Sequence, residues 1–122
     1  MLKNAVLSFI LGATAYVTME LVFRGRSHIS MALAGGICML ILNILFTHMN
    51  ISLFTKCLLS MVVITLVEFV TGVIVNIYMN LNVWDYSARP LNVLGQICPG
   101  FSLLWFFMGI PISFASDFIN NT

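Results

Sequence analysis

Residues 57–79 read CLLSMVVITLVEFVTGVIVNIYM, an apolar run that contains one charged side chain, Glu68. A transmembrane helix needs about 20 mostly apolar residues, so this run predicts a membrane span. A carboxyl group at that depth costs roughly 2.5 to 3.5 kcal/mol on insertion scales, and it usually faces a bundle interior, a partner charge or a water-filled cavity. The run therefore predicts a membrane fold with a polar site inside it.

The amino-acid composition predicts that the whole chain is a membrane protein. Hydrophobic residues make up 61% of the 122 positions and charged residues 7%, and the mean hydropathy is +1.07. A soluble domain cannot solvate its surface with so little charge, so we expect one polytopic membrane domain over residues 1–122. The net charge of +1 gives no reason to expect nucleic acid. The three cysteines are widely spaced, and we expect neither a metal nor a cofactor.

Four segments are long and apolar enough to span a bilayer. The sequence predicts an all-α membrane protein, a four-transmembrane-helix bundle with a long, partly ordered loop between helices 3 and 4. The predicted helices cover residues 4–23, 29–47, 52–79 and 99–118. We expect Pro99 in the first turn of the fourth helix and a kink at Pro111. The expected location is the cell membrane, as a multi-pass protein of the bacterial inner membrane.

The ionisable residues are predicted to gather at one side of the membrane. With four spans, the first and third loops must lie on the same side. Most of the charged and carboxamide side chains belong to these loops or to the helix ends that enter them. The candidate ligand-binding residues are Glu20, Arg26, His28, Glu68, Asn76, Trp84, Asp85, Tyr86, Asn92 and Gln96. This pattern predicts a one-sided polar site.

A polar stripe lies on the third helix. Glu68, Gly72 and Asn76 are spaced i, i+4 and i+8, so they share one helix face. One interpretation is that the stripe lines a cavity and lets another backbone approach at the glycine. The other is a helix contact in which Glu68 is protonated or paired with Arg26.

The first loop offers an anion site or a simple membrane anchor. Glu20 and Arg24 are spaced i, i+4, which favours a local ion pair. Arg26 and His28 then remain to bind a phosphate or carboxylate. Alternatively, they are cationic residues at the level of the lipid headgroups.

The third loop carries a compact polar and aromatic motif. Trp84 and Tyr86 are typical interfacial aromatics. Asp85 lies between them and has three possible roles: it caps a turn, pairs with Arg89, or projects into the site. Only the last of these is a ligand-binding or catalytic role.

These motifs resemble those of a known family. The pattern E-x-x-x-G at 68–72, then W-D-Y-S-x-x-P-x-N-x-x-G-Q at 84–96 and Trp105, resembles the Putative ABC-transporter type IV family of CmpB-like integral membrane proteins. The block at 26–31, RSHISM, is similar to the first loop of that family. The resemblance implies a small polytopic membrane protein, labelled in bacteria as an ABC-transporter permease.

Three functions are compatible with these patterns. The first is a transport-type component that binds a small polar or anionic solute, contacts membrane lipids, and forms a homo-oligomer or joins a partner membrane protein. The second is an intramembrane enzyme that acts on a lipid headgroup or isoprenoid, with Glu68 or Asp85 as catalytic base and Arg26 on the phosphate. The third is a noncatalytic assembly or regulatory protein.

Overall fold

The computed structural model describes residues 2–25, 28–81 and 83–121, without the side chains of Phe23 and Arg24. Four α-helices make up most of it: α1 (Leu2–Arg24), α2 (Ile29–His48), α3 (Leu53–Gly72) and α4 (Pro99–Asn120). Each span is long and apolar enough to cross a membrane. The predicted four-helix fold is thus confirmed, and the chain is a multi-pass membrane protein.

The helices pack as two antiparallel pairs, α1 on α2 and α3 on α4, and the pairs meet mainly between α2 and α3. α2 is the central helix: 50% of its span is buried inside the bundle, whereas 6% of the α1 span is buried. Its residues Cys38, Leu42 and Phe46 form one core cluster with Ile64 of α3 and Trp105 of α4. The other helices therefore present most of their apolar side chains outward, as a lipid environment requires.

Glycines allow the close contact between α1 and α2. A Cβ atom on Gly12 would overlap the carbonyl oxygen of Gly35 and lie 2.5 Å from the Cβ of Met39. A Cβ on Gly35 would in turn lie 2.6 Å from the carbonyl oxygen of Gly12. Small residues at such crossings let two backbones approach in the absence of a hydrophobic driving force between helices in lipid.

The third span changes its winding after Gly72. Residues Val73–Tyr78 form a π-helix, in which the chain makes wider turns than an α-helix. The segment ends where the N–H of Met79 donates to the carbonyl of Ile74, and Asn80 then adopts a left-handed φ of 55°. This wider winding sets the direction of Asn76, which lies inside the π-helix.

Substituting Gly12 tests the α1–α2 crossing. We expect Gly12→Ala to lower the free energy of unfolding by about 1–3 kcal/mol, because the methyl group would overlap backbone atoms that cannot rotate away. Gly100→Ala is the matched control, since a Cβ there would meet only the guanidinium of Arg89, at 3.9 Å. Thermal unfolding in detergent measures both. An equal effect of the two substitutions would contradict the close crossing.

Candidate functional site

The buried carboxyl group of Glu68 has a hydrogen-bond donor on each oxygen. Glu68 lies on α3 and is 4% exposed. The hydroxyl of Tyr86 donates to its Oε2 at 3.2 Å, and the indole Nε1 of Trp105 donates to its Oε1 at 3.4 Å. The carboxyl group thus joins three parts of the chain: α3, the loop that follows it, and α4. These donors offset part of the cost of burying a carboxylate.

Tyr86 is held in place by aromatic packing. Its ring stacks on that of Phe101 with the centroids 4.8 Å apart and the planes at 10°. The guanidinium carbon of Arg89 lies 4.6 Å from the centroid of the same Phe101 ring. Burial raises the pKa of the Tyr86 phenol, and the charges of Glu68 and Glu20 raise it further. Tyr86 therefore remains a neutral donor at physiological pH.

Asn76, the last residue of the predicted polar stripe, holds the loop by a second hydrogen-bond network. The amide nitrogen of Asn76 donates to Oε1 of Gln96 at 2.8 Å, and its amide oxygen accepts from the backbone N–H of Val83 at 2.6 Å and of Trp84 at 3.3 Å. The indole of Trp84 donates to the carbonyl of Gln96 at 3.1 Å. Gly72 lies beneath these groups, because a Cβ there would be 2.5 Å from Oε1 of Gln96. In this structure, the predicted stripe is the surface on which the loop packs.

The outer part of the loop is shaped by side chains that bond to the backbone. Asp85 is exposed, and its Oδ1 accepts from the hydroxyl and the backbone N–H of Ser87. These hydrogen bonds lower the pKa of Asp85. Asn92 donates to the carbonyls of Ser87 and Arg89, and its Oδ1 accepts from the N–H of Gly95, which has a φ of 74°. The geometry of Asp85 is therefore that of a turn-forming residue.

The first loop contributes less to this cluster in the described residues. Nδ1 of His28 accepts from the backbone N–H of Ser30 at 3.1 Å, so His28 caps α2. Glu20 is partly buried near the end of α1, within electrostatic range of Tyr86. Arg26 and the side chain of Arg24 lie outside the described residues, so the anion contact at Arg26 and the Glu20–Arg24 pair stay predictions.

An apolar cavity of about 190 Å³ adjoins the Glu68 cluster. Trp105 and Tyr16 lie in its wall, with their ring centroids 6.0 Å apart, and Trp105 is the residue that donates to Glu68. Tyr16 and Cys38, which also line the cavity, lie within electrostatic reach of the Glu68 carboxyl group. The cavity is somewhat larger than the ~150 Å³ apolar cavity that accommodates benzene in an engineered protein. It has room for a ring or a short alkyl chain beside a polar group.

A second set of polar residues lies at the end of the bundle that holds the chain termini. These residues, which we call the terminal polar layer, are Asn43 and Thr47 of α2, Lys56 of α3, and Ser113, Ser116 and Asn120 of α4. Sequence reasoning did not identify them as a group because it followed ionisable residues. The available signal was the spacing of neutral polar residues within apolar runs, i, i+4 on α2 and i, i+3, i+7 on α4.

The fold and the buried polar cluster define a polytopic membrane protein with hydrogen-bonding groups held inside a four-helix bundle. The chain belongs to the family described as Putative ABC-transporter type IV, whose model matches residues 30–121. The resemblance seen in the sequence is thereby confirmed. Family membership and the four apolar helices together indicate a transport-type membrane component. No curated protein and no solved structure matches the chain.

The ionisation of Tyr86 reports on its contact with Glu68. We expect Glu68→Gln to lower the pKa of Tyr86 toward its ordinary value, because the substitution removes a neighbouring negative charge. Ultraviolet absorbance during an alkaline titration measures this pKa, and the same titration of Tyr86→Phe supplies the background from the other tyrosines. Glu20→Gln should cause a smaller decrease, because its charge affects Tyr86 less. An unchanged pKa in Glu68→Gln would contradict the contact.

Proposed function

We propose that this chain is a transport-type membrane component that binds a small amphipathic ligand at the cavity beside Glu68. The apolar part of the ligand occupies the cavity, and its hydroxyl or amine group lies at the end formed by Tyr16 and Trp105. The observation that carries the proposal is the position of a buried carboxyl group next to an apolar cavity. Such pockets typically combine an apolar lining with a few polar groups that orient the ligand.

The charges near the cavity bear on the chemistry of the ligand. Glu68 and Glu20 are both acidic and both lie within electrostatic range of Tyr86. A carboxylate or phosphate placed beside them would be repelled, whereas an amine would be attracted and a hydroxyl could hydrogen-bond. We therefore favour an amine or alcohol over the anionic solute that the sequence alone left open.

The hydrogen bonds that Glu68 already accepts limit how a ligand can reach its carboxyl group. Both carboxyl oxygens already accept a hydrogen bond, from Tyr86 and Trp105. A ligand donor must therefore replace one of these two or approach the same oxygen at another angle. Tyr86 belongs to the loop, so movement of the loop would expose Oε2 without changing the helices. In this proposal the segment 83–98 acts as the gate of the site.

The proposed transport-type component acts together with other membrane proteins. Four helices are few for a complete permease, so we expect the chain to act as a homo-oligomer or with a partner membrane protein. The outward apolar side chains, such as Phe54, Leu66 and Phe114, are exposed enough to contact lipids or such a partner.

Native mass spectrometry in detergent tests the ligand class. Hexylamine, hexanol and hexanoate share one alkyl chain and differ in the polar group. We expect binding in the order amine, alcohol, carboxylate, and about a tenfold or greater loss of amine binding in Glu68→Gln, because a hydrogen bond to a charged group is replaced by a neutral one. Stronger binding of hexanoate than of hexylamine would contradict the proposal.

A matched pair of substitutions on α4 tests the location. Ile112 lines the cavity, whereas Ile110 faces outward and is 39% exposed. Ile112→Trp should fill the cavity and abolish hexylamine binding, and Ile110→Trp should leave it unchanged. Equal binding by both variants would place the ligand elsewhere. A co-purified ligand that leaves the wild-type protein chemically altered would instead favour the intramembrane enzyme.

A further inference from the structure

The terminal polar layer links three helices by hydrogen bonds between neutral groups and one lysine. The hydroxyl of Ser116 donates to Oδ1 of Asn43 at 2.5 Å, and the two residues are 1% and 5% exposed. One turn further along α4, the amide of Asn120 donates to the hydroxyl of Thr47 at 2.8 Å. The ammonium of Lys56 donates to Ser113 at 3.4 Å. The Asn43–Ser116 hydrogen bond is thus buried between α2 and α4, the Asn120–Thr47 bond is exposed, and the half-buried Lys56 joins α3 to α4.

The apolar cavity extends from the Glu68 cluster to this layer. On α4 its wall includes both Trp105 and Ala115, which are ten positions apart, or about 15 Å along the helix axis. Trp105 bonds to Glu68, and Ala115 directly precedes Ser116. On α2 the wall includes Met39, one turn before Asn43. Ser116 likewise lies one turn beyond Ile112, another wall residue, so the Asn43–Ser116 pair lies next to one end of the wall and Glu68 next to the other.

We propose that the Asn43–Ser116 pair closes the terminal end of this cavity and opens as a second gate. The cavity then forms a path between the two sides of the membrane for the ligand class proposed above, on which this inference rests. The amine or hydroxyl of the ligand replaces one partner of the Asn43–Ser116 bond, as it does at Glu68. The path is closed at one end by Tyr86 with its loop and at the other by these two side chains.

The Asn43–Ser116 hydrogen bond is weak enough to open and close as a gate. A hydrogen bond between neutral side chains contributes little net stability, both in water and between transmembrane helices, so it can break and reform readily. Pro111, which also lines the cavity, lies between the two gates on α4. Because proline has no N–H to donate to the preceding turn, α4 can bend at this position.

Cys38 provides a native reporter inside the path. It lines the cavity and is 6% exposed. Replacing Cys57 and Cys98 by alanine leaves Cys38 as the single thiol of the chain. The protein is then reconstituted in vesicles of known orientation, and a membrane-impermeant methanethiosulfonate reagent with a quaternary ammonium group is added from one side at a time.

We expect Asn43→Ala to increase the labelling rate of Cys38 from the terminal side by about three- to tenfold, the factor that corresponds to the loss of one neutral hydrogen bond. Labelling from the loop side should not change. Ser116→Ala should act in the same direction, because it removes the donor of the same bond. Thr18→Ala is the control, since the Thr18 hydroxyl bonds to the carbonyl of Thr14 within α1.

Three results would overturn the second gate: an unchanged terminal-side rate in both variants, an equal increase from both sides, which indicates general loosening, or the same increase in Thr18→Ala. The proposed function is judged separately by hexylamine binding in the same preparations. Retained binding with unchanged labelling rejects the second gate alone. Side-specific labelling without hexylamine binding keeps the gate and rejects the ligand class.

Discussion

The buried carboxyl group of Glu68 is the constraint on which the rest of the site depends. A carboxyl group on a membrane span needs donors, and among the described residues of the helices Trp105 supplies one. The second comes from Tyr86, which requires the loop to fold back over the end of α3. The stack of Tyr86 on Phe101 and the bonds between Asn76 and Gln96 hold the loop in that position. Glu68 thereby joins the long connection to both α3 and α4, and these other contacts complete the conformation of the loop.

Much of this arrangement follows from the sequence, because its causes are local. Apolar length alone predicts the four spans, and helical spacing places Glu68, Gly72 and Asn76 on one face. What that face contacts depends on tertiary structure. A tryptophan in a loop next to a membrane span is typical of the membrane interface, yet Trp84 is 5% exposed. Its indole packs over Gly72 and donates a hydrogen bond to the carbonyl of Gln96. Asn76 likewise lies in a π-helix, and its hydrogen bonds to Val83, Trp84 and Gln96 depend on how the loop packs against this segment.

The terminal polar layer shows a different limit of sequence reasoning. A charged residue in an apolar run is conspicuous because it is costly, whereas single serine, threonine and asparagine residues are common in membrane helices. Counting charges therefore directed attention to one end of the bundle. The pairing of Asn43 with Ser116 joins residues 73 positions apart, and no spacing within either helix reveals it. Only the packing of α2 against α4 makes these residues a unit.

An apolar middle section between two polar ends also explains how a small bundle could discriminate among solutes. While both proposed gates are closed, an apolar cavity of this kind excludes water, and a dry section opposes the passage of ions. A solute that carries its own apolar part replaces the missing contacts in the cavity, and its single polar group exchanges one set of hydrogen bonds for another at each end. In the proposed path, selectivity depends on the shape of the cavity between Tyr16 and Ile112 and on the hydrogen bonds that the carboxyl group of Glu68 accepts. The proposed path needs no continuous line of polar residues through the bundle.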